Sequence, residues 1–195
     1  MKSLYYFIIS PKKNRYNNTK KVLNKDLIIN TDISNHKFVS KEAVVKFSPE
    51  KIKSNIKKGY EVITHFNVFR RWYNIRGEEK NSRSYINENA YYINKDQIYL
   101  YRKNSKEEWK VLNDYCFVKP LLSKESITID KEKPLMGIVK YSDGTVKKGS
   151  LVGFSPGDEF EFIVDGERLY GVMSKFISIK YEYQGNEEEY NPSWA

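Results

Sequence analysis

FSPGDEFEFIV (residues 154–164) decides how this chain reads. A Pro-Gly-Asp turn opens into a run that alternates Glu159, Phe160, Glu161 and Phe162, the period of two that a half-buried β-strand requires. Earlier in the chain, IKKGYEVITHF (56–66) has the same form, a Gly turn followed by an alternating run. A turn-and-strand phrase used twice suggests that the chain uses one β-unit twice.

The same pattern extends in both directions. LYYFIIS (4–10), AVVKF (43–47), YEVITHF (60–66), AYYI (90–93) and QIYLYR (97–102) read as strands. A second series follows: YCFVKPL (115–121), GIVKY (137–141), GSLVGF (149–154), EFEFIV (159–164), RLYGVM (168–173) and ISIKYEY (177–183). Gly59, Gly77, Asp143-Gly144, Pro156-Gly157-Asp158 and Asp165-Gly166 punctuate them as turns. Only SPEKIKSNIKKG (48–59) has helical spacing, with Gly59 as its stop. The expectation is an all-β chain, with the charged stretch KNSKEEWKVLND (103–114) joining two halves.

The halves run in the same order. Each opens on a strand that ends in Pro, YYFIISPKK and YCFVKPLLS. Each then has a polar segment with a short aliphatic triplet, KDLIINT (25–31) and ESITID (125–130). KEAVVKFS (41–48) and LMGIVKYS (135–142) read as return strands. Next comes the Gly-turn-strand phrase, with 56–66 matched to 154–164. NKDQIYLYRK (94–103) and SKFISIKYEY (174–183) close the two halves.

Bulk properties bound the class. Hydrophobic residues make up 39%, including 16 Tyr and 10 Phe, enough to bury one or two modest cores. Mean hydropathy is −0.70 and there is no apolar run of membrane-spanning length. The opening MKSLYYFIISPKK reads as a strand rather than a signal segment. One cysteine, Cys116, excludes an internal disulfide and a cysteine zinc cluster. A cytoplasmic location is expected. Abundant Lys, Asn, Ile and Tyr imply an AT-rich gene and suggest a viral origin. The net charge of +9 is uneven: residues 1–104 hold 22 Lys+Arg against 9 Asp+Glu, and residues 105–195 hold 12 against 16.

This order of elements resembles that of the GroES-type co-chaperonins, whose subunit is a small irregular β-barrel. DYCFVKPL (114–121) is similar to the opening strand of that family, and LYYFIISPKK is a looser copy. GIVKYS (137–142) resembles the family's return strand, SPGDEFEFI (155–163) its Gly-Asp strand, and DGERLYGVMSKFISIKY (165–181) its closing segment. The resemblance implies two tandem GroES-like barrels, at 1–104 and 113–183, with an acidic mobile tail at 184–195. Such a doubling is known in the chloroplast co-chaperonin.

The resemblance also implies a function without chemistry or cofactor. The family docks a mobile loop on a chaperonin ring through a hydrophobic tripeptide. Leu27, Ile28 and Ile29 fall at that place in the first half, and Ile127, Thr128 and Ile129 in the second. The expected partners are a chaperonin ring in the presence of nucleotide, further copies in a homo-oligomeric ring, and a viral client such as capsid protein in the host cytoplasm. On residue chemistry alone, either triplet also fits an ordinary barrel strand.

The first half carries an insertion, NVFRRWYNIRGEEKNSRSYINEN (67–89), where the family has a short hairpin. Its Arg70, Arg71, Arg76, Lys80 and Arg83 interleave with Phe69, Trp72 and Tyr73. This mixture suits a protein interface, or phosphate and base stacking. Two alternatives therefore stand beside the co-chaperonin: a virion or capsid decoration protein, and a basic nucleic-acid-binding β protein. His36 and His65 lack ligand spacing, and no phosphate loop or nucleophile elbow appears. Cys116 reads as a buried thiol and the Asp-Gly pairs as turns. The chain is not expected to be an enzyme.

Overall fold

A computed structural model describes residues 2–23, 25–33, 35–123, 132–157, 159–182 and 187–192. The chain is all-β, and no α-helix occurs among the described residues. It divides into two compact units, Met1–Glu108 and Trp109–Ala195.

The first unit contains β1 (Phe7–Pro11), β2 (Thr19–Val22), β3 (Lys25–Ile28), β4 (Glu42–Phe47), β5 (Glu61–Thr64), β6 (Arg71–Tyr73), β7 (Glu79–Asn81), β8 (Tyr85–Asn87), β9 (Ala90–Ile93) and β10 (Ile98–Arg102). Six of these pair antiparallel in the order β10-β5-β4-β1-β9-β8, while β2-β3 and β6-β7 are separate two-stranded ribbons. The second unit contains β11 (Lys110–Val111), β12 (Tyr115–Leu122), β13 (Glu132–Ser142), β14 (Leu151–Phe154), β15 (Glu159–Val164), β16 (Glu167–Met173) and β17 (Ile177–Tyr181). Its sheet runs β17-β14-β13-β12-β16-β15. Strand for strand, this is the order of the first unit.

The agreement extends to register. Ile9 faces Val45 on one side and Tyr91 on the other; Val118 faces Val139 and Tyr170. A bulge lies between Ile8 and Ile9 and another between Phe117 and Val118. A 3-10 turn precedes each closing strand, at Lys95–Gln97 and Ser174–Phe176. The core follows the same scheme. Val118, Val139, Val152, Phe154 and Val172 cluster in the second unit. The positions matching them by register in the first, Ile9, Val45, Val62, Thr64 and Ile93, are all buried. Burying each aliphatic side chain stabilises by roughly 1.5–3 kcal/mol.

Several sequence expectations change here. The opening phrases 56–66 and 154–164 are not equivalent. Gly59 N–H donates to the Val45 carbonyl and Gly149 N–H to the Val139 carbonyl, both at 2.8 Å. Tyr60 N–H and Ser150 N–H close matching turns on Lys57 and Lys147. Thus Lys57-Lys58-Gly59 matches Lys147-Lys148-Gly149, and β5 matches β14. Each glycine has positive φ, +89° and +82°, which a side chain would strain. β15 corresponds instead to β8, so the extra segment of the first unit ends before Tyr85 rather than at residue 89.

Neither unit's strands close into a barrel among the described residues: β8 and β10 are the end strands of the first unit's six, and β15 and β17 are those of the second unit's six, with no ladder joining either pair. Closure needs a ladder between first and last strands, and β8 offers only three residues to one. The 48–59 segment is not helical either. Ser48 Oγ donates to the Ile56 carbonyl at 2.9 Å, and Ile56 N–H donates to Ser54 Oγ at 3.1 Å. These bonds compete with helical ones and deliver Ile56, fully buried, to the core.

Two further segments differ from the sequence reading. Trp109 lies in the charged stretch 103–114, yet it is buried and donates from Nε1 to Asp165 Oδ2 at 2.8 Å. Residues 187–192 of the acidic tail are also held. Leu122 N–H donates to the Glu188 carbonyl and Tyr190 N–H to the Pro120 carbonyl, each at 2.8 Å.

Candidate functional site: two exposed ribbons on one polar anchor

The segment between β1 and β4 is closed at its base by a short ladder. Tyr16 bridges Val39, Asn17 N–H donates to the Phe38 carbonyl at 2.8 Å, and Ser40 N–H donates to the Arg15 carbonyl at 3.0 Å. Beyond this stem, β2 and β3 pair as a ribbon of their own, with Thr19 opposite Ile28 and Lys20 opposite Leu27. Successive strand residues point to opposite faces. Leu27 and Ile28 are nevertheless both exposed, at 56% and 62%, so this unit covers neither face of the ribbon. Ile29 is 48% exposed, and Leu23, at the turn with φ +47°, is 95% exposed. The triplet Leu27-Ile28-Ile29 thus lies outside the six-stranded sheet. Two-stranded ribbons are marginally stable by themselves, so a partner that buries these aliphatics would also order the ribbon. The second triplet, Ile127-Thr128-Ile129, lies outside the described residues.

Arg15 and Tyr16 anchor a second ribbon. Arg15 Nε donates to the Phe69 carbonyl at 2.7 Å, and its guanidinium lies over the Tyr85 and Tyr91 rings at 5.3 and 5.4 Å. Tyr16 Oη donates to the Ile33 carbonyl at 2.7 Å and accepts from Arg71 N–H at 2.8 Å. The Arg71 guanidinium covers the Tyr16 ring at 4.9 Å. Strands β6 and β7 therefore grow from the same two residues that close the β2-β3 stem. Val68 and Phe69 are buried, and Ser82 Oγ donates to the Val68 carbonyl at 2.5 Å, fixing the base of this arm.

The arm separates its residues into two groups. Arg71 pairs with Glu79 at 2.9 Å and Lys80 with Glu78 at 2.9 Å. Arg70 is half-buried, and its Nε has no hydrogen-bond partner among the described residues. Arg76 and Arg83 are exposed, beside exposed Trp72, Tyr73 and Ile75. The eight residues singled out in sequence thus share one hairpin and its base. Ile75, at the fully exposed tip, was missed because an isolated aliphatic in a charged stretch has no periodicity.

Elsewhere the polar groups serve structure. His36 and His65 flank Phe66, with ring centroids 5.1 and 4.5 Å from it. His65 Nδ1 accepts from Asn67 N–H at 3.1 Å and caps a 3-10 turn. Burial, then the charge of Lys41, holds the His65 pKa below its ordinary 6.5. As pH falls, the unfolded chain therefore takes up this proton first, so stability present above about pH 6.5 declines below it. A melting series from pH 8 to pH 5 should show a decline starting near 6.5, and His65→Asn, which keeps a cap acceptor, should flatten it. An identical decline in the variant would remove His65 as the cause.

Asp143 Oδ1 accepts from Thr145 N–H at 2.9 Å, and Asp143 Oδ2 accepts from Ser174 Oγ at 2.6 Å. Burial raises its pKa, but these donors outweigh burial and hold it low. Cys116 is buried, with Ser142 and Ser174 hydroxyls 3.5 Å from its sulfur. No group of metal-ligating residues occurs among the described residues. No helix is long and apolar enough to cross a membrane. The chain matches no known protein-family model and no curated protein.

Proposed function

We propose that this chain is a co-chaperonin of the GroES type, docking on a chaperonin ring through the aliphatic ribbon of residues 19–29. The observation that carries the reading is that ribbon: Leu23, Leu27, Ile28 and Ile29 exposed together, inserted between the first two strands of the sheet. Each six-stranded unit is then an opened variant of the family's barrel, with β1 and β12 as opening strands. Several copies form a ring, because one ribbon binds weakly and a ring multiplies it. The client is a viral protein, such as a capsid subunit folded in the host cytoplasm. The chain itself contributes binding, and the ring's ATPase supplies the chemistry.

Sizing chromatography with a chaperonin ring, with and without ADP, tests this. Wild type should co-elute only with nucleotide. Leu27→Ser/Ile29→Ser should weaken binding at least tenfold, since each buried aliphatic is worth more than about 1.4 kcal/mol. Co-elution of the double variant equal to wild type would remove the ribbon from the interface, and no binding by wild type would remove the function for that ring.

The second arm supports the alternative of a virion or decoration protein. Exposed Trp72, Tyr73, Ile75 and Arg76 are residue types that anchor protein interfaces. Nucleic acid is less favoured, because Glu78 and Glu79 already neutralise two of the arm's cations. Co-purification with viral particles, without chaperonin binding, would select this alternative.

A further inference from the structure

The pairing of β16 with β12 ends at Val118–Tyr170, while β12 continues to Leu122. From Lys119 onward that edge of β12 is left by β16, and residues 187–192 lie along it. Leu121 bridges Glu189 antiparallel, flanked by the hydrogen bonds from Leu122 N–H and Tyr190 N–H. Side chains add recognition. Lys119 Nζ meets Glu189 Oε2 at 2.5 Å. Arg168 N–H donates to Asn191 Oδ1 at 2.9 Å, and Asn191 Nδ2 donates to the Gly166 carbonyl at 3.1 Å. Pro192 is buried. Backbone bonds on a free strand edge, one charge pair, an amide reading a turn and a buried apolar residue are the components of strand-addition peptide recognition.

We infer that the edge Lys119–Leu122, together with the Gly166–Arg168 turn, is a binding site for an extended acidic peptide, and that its occupant in trans is the C-terminal segment of a second copy of this chain. The segment carries its own match to the site: three consecutive carboxylates, Glu187–Glu189, followed by Tyr190, Asn191 and Pro192. In cis the tether gives it a high effective concentration. In trans the same bonds form between copies, which is segment exchange. The inference does not depend on the chaperonin reading, because it concerns only bonds within the second unit.

The test uses the full chain and a fluorescent synthetic peptide of residues 186–195. In Glu189→Lys/Asn191→Ala the tethered segment faces Lys119 with a like charge and loses its turn contact, so the site empties. This variant should bind the peptide saturably, and more weakly as salt rises. Wild type should bind at least tenfold more weakly because its own segment competes. Lys119→Glu/Glu189→Lys should re-pair in cis and also resist the peptide. In parallel, 15N-labelled wild type with roughly millimolar peptide carrying a nitroxide spin label should show broadened Leu122 and Arg168 amide resonances, a readout that needs no variant to fold. Absence of saturable binding by the emptied variant, with both amides unbroadened in wild type, overturns the inference. So does a peptide carrying Glu189→Lys and Asn191→Ala that binds as well as the native sequence.

Discussion

Replacing Glu61 by Ala is expected to destabilise the protein by about 1.5–3 kcal/mol, the worth of a hydrogen bond between charged groups. Glu61 and Arg102 face each other across β5 and β10, with Arg102 Nε 2.7 Å from Glu61 Oε2. Arg102 is only 5% exposed. Lys12 reaches the other Glu61 oxygen at 3.0 Å and Glu42 at 3.7 Å. Burial raises the Glu61 pKa, but the Arg102 and Lys12 contacts outweigh it and hold the carboxyl below its ordinary value. Its contribution is therefore complete above about pH 4.5 and is lost as pH falls through the lower folded value. With Ala at 61, Lys12 keeps Glu42, and the Arg102 guanidinium loses the 2.7 Å contact from its Nε to the Glu61 carboxylate.

The second unit suggests the compensating change. By register, Leu151 and Tyr181 occupy the positions of Glu61 and Arg102. Glu61→Leu/Arg102→Tyr transplants that pair and should recover at least half of the loss, since apolar replacement of a buried ion pair is often neutral. Urea midpoints at unchanged m would measure it. A double variant as unstable as the two single changes added together would mean that the two sheets, alike in strand order, are not interchangeable at this position.

That comparison rests on a correspondence only partly legible in sequence. Alternation in AVVKF, AYYI, EFEFIV and RLYGVM identifies strands because one face must be apolar. Pro11 and Pro120 mark the same place in β1 and β12, and the matched pair KEAVVKFS and LMGIVKYS holds in the structure, with Val45 and Val139 in one role. The Pro-Gly-Asp phrase misleads because Gly turns precede many strands, whereas equivalence is set by which carbonyl each glycine's N–H meets. The informative signal is Lys57-Lys58-Gly59 and Lys147-Lys148-Gly149, three identical residues that form the same turn in each unit.

The site was legible in composition and illegible in arrangement. An aliphatic triplet among polar residues fits either a sheet strand or a detached ribbon, since both have a period of two. Only the exposure of both faces distinguishes them. Arg15 and Tyr16, which join both ribbons, belong to no motif; their partners Phe69, Arg71 and Tyr85 are more than fifty residues away in sequence. Trp109 shows the converse: its charged neighbours hide a core position because its partner, Asp165, lies in another hairpin.

Phe117→Ala should cost a further about 3–5 kcal/mol, the usual loss for removing a buried aromatic ring. Phe117 is fully buried on β12, and its ring meets that of Phe162 edge-on at 5.4 Å. The pair exists because position 171 has no side chain. A Cβ there would lie 2.8 Å from the Phe162 ring and 3.0 Å from that of Phe117. In the first unit the matching residue is Tyr92, whose side chain is partly exposed against Tyr6 at 5.4 Å. Gly171→Ala alone should cost roughly 1–3 kcal/mol through overpacking. In Phe117→Ala the Phe162 ring can move away from the added methyl into the space that Phe117 leaves, so Phe117→Ala/Gly171→Ala should lose clearly less than the two single losses combined. A double-mutant cycle by urea unfolding measures the coupling. Simple additivity would show that the glycine is retained for its backbone and not for the room it leaves the two rings.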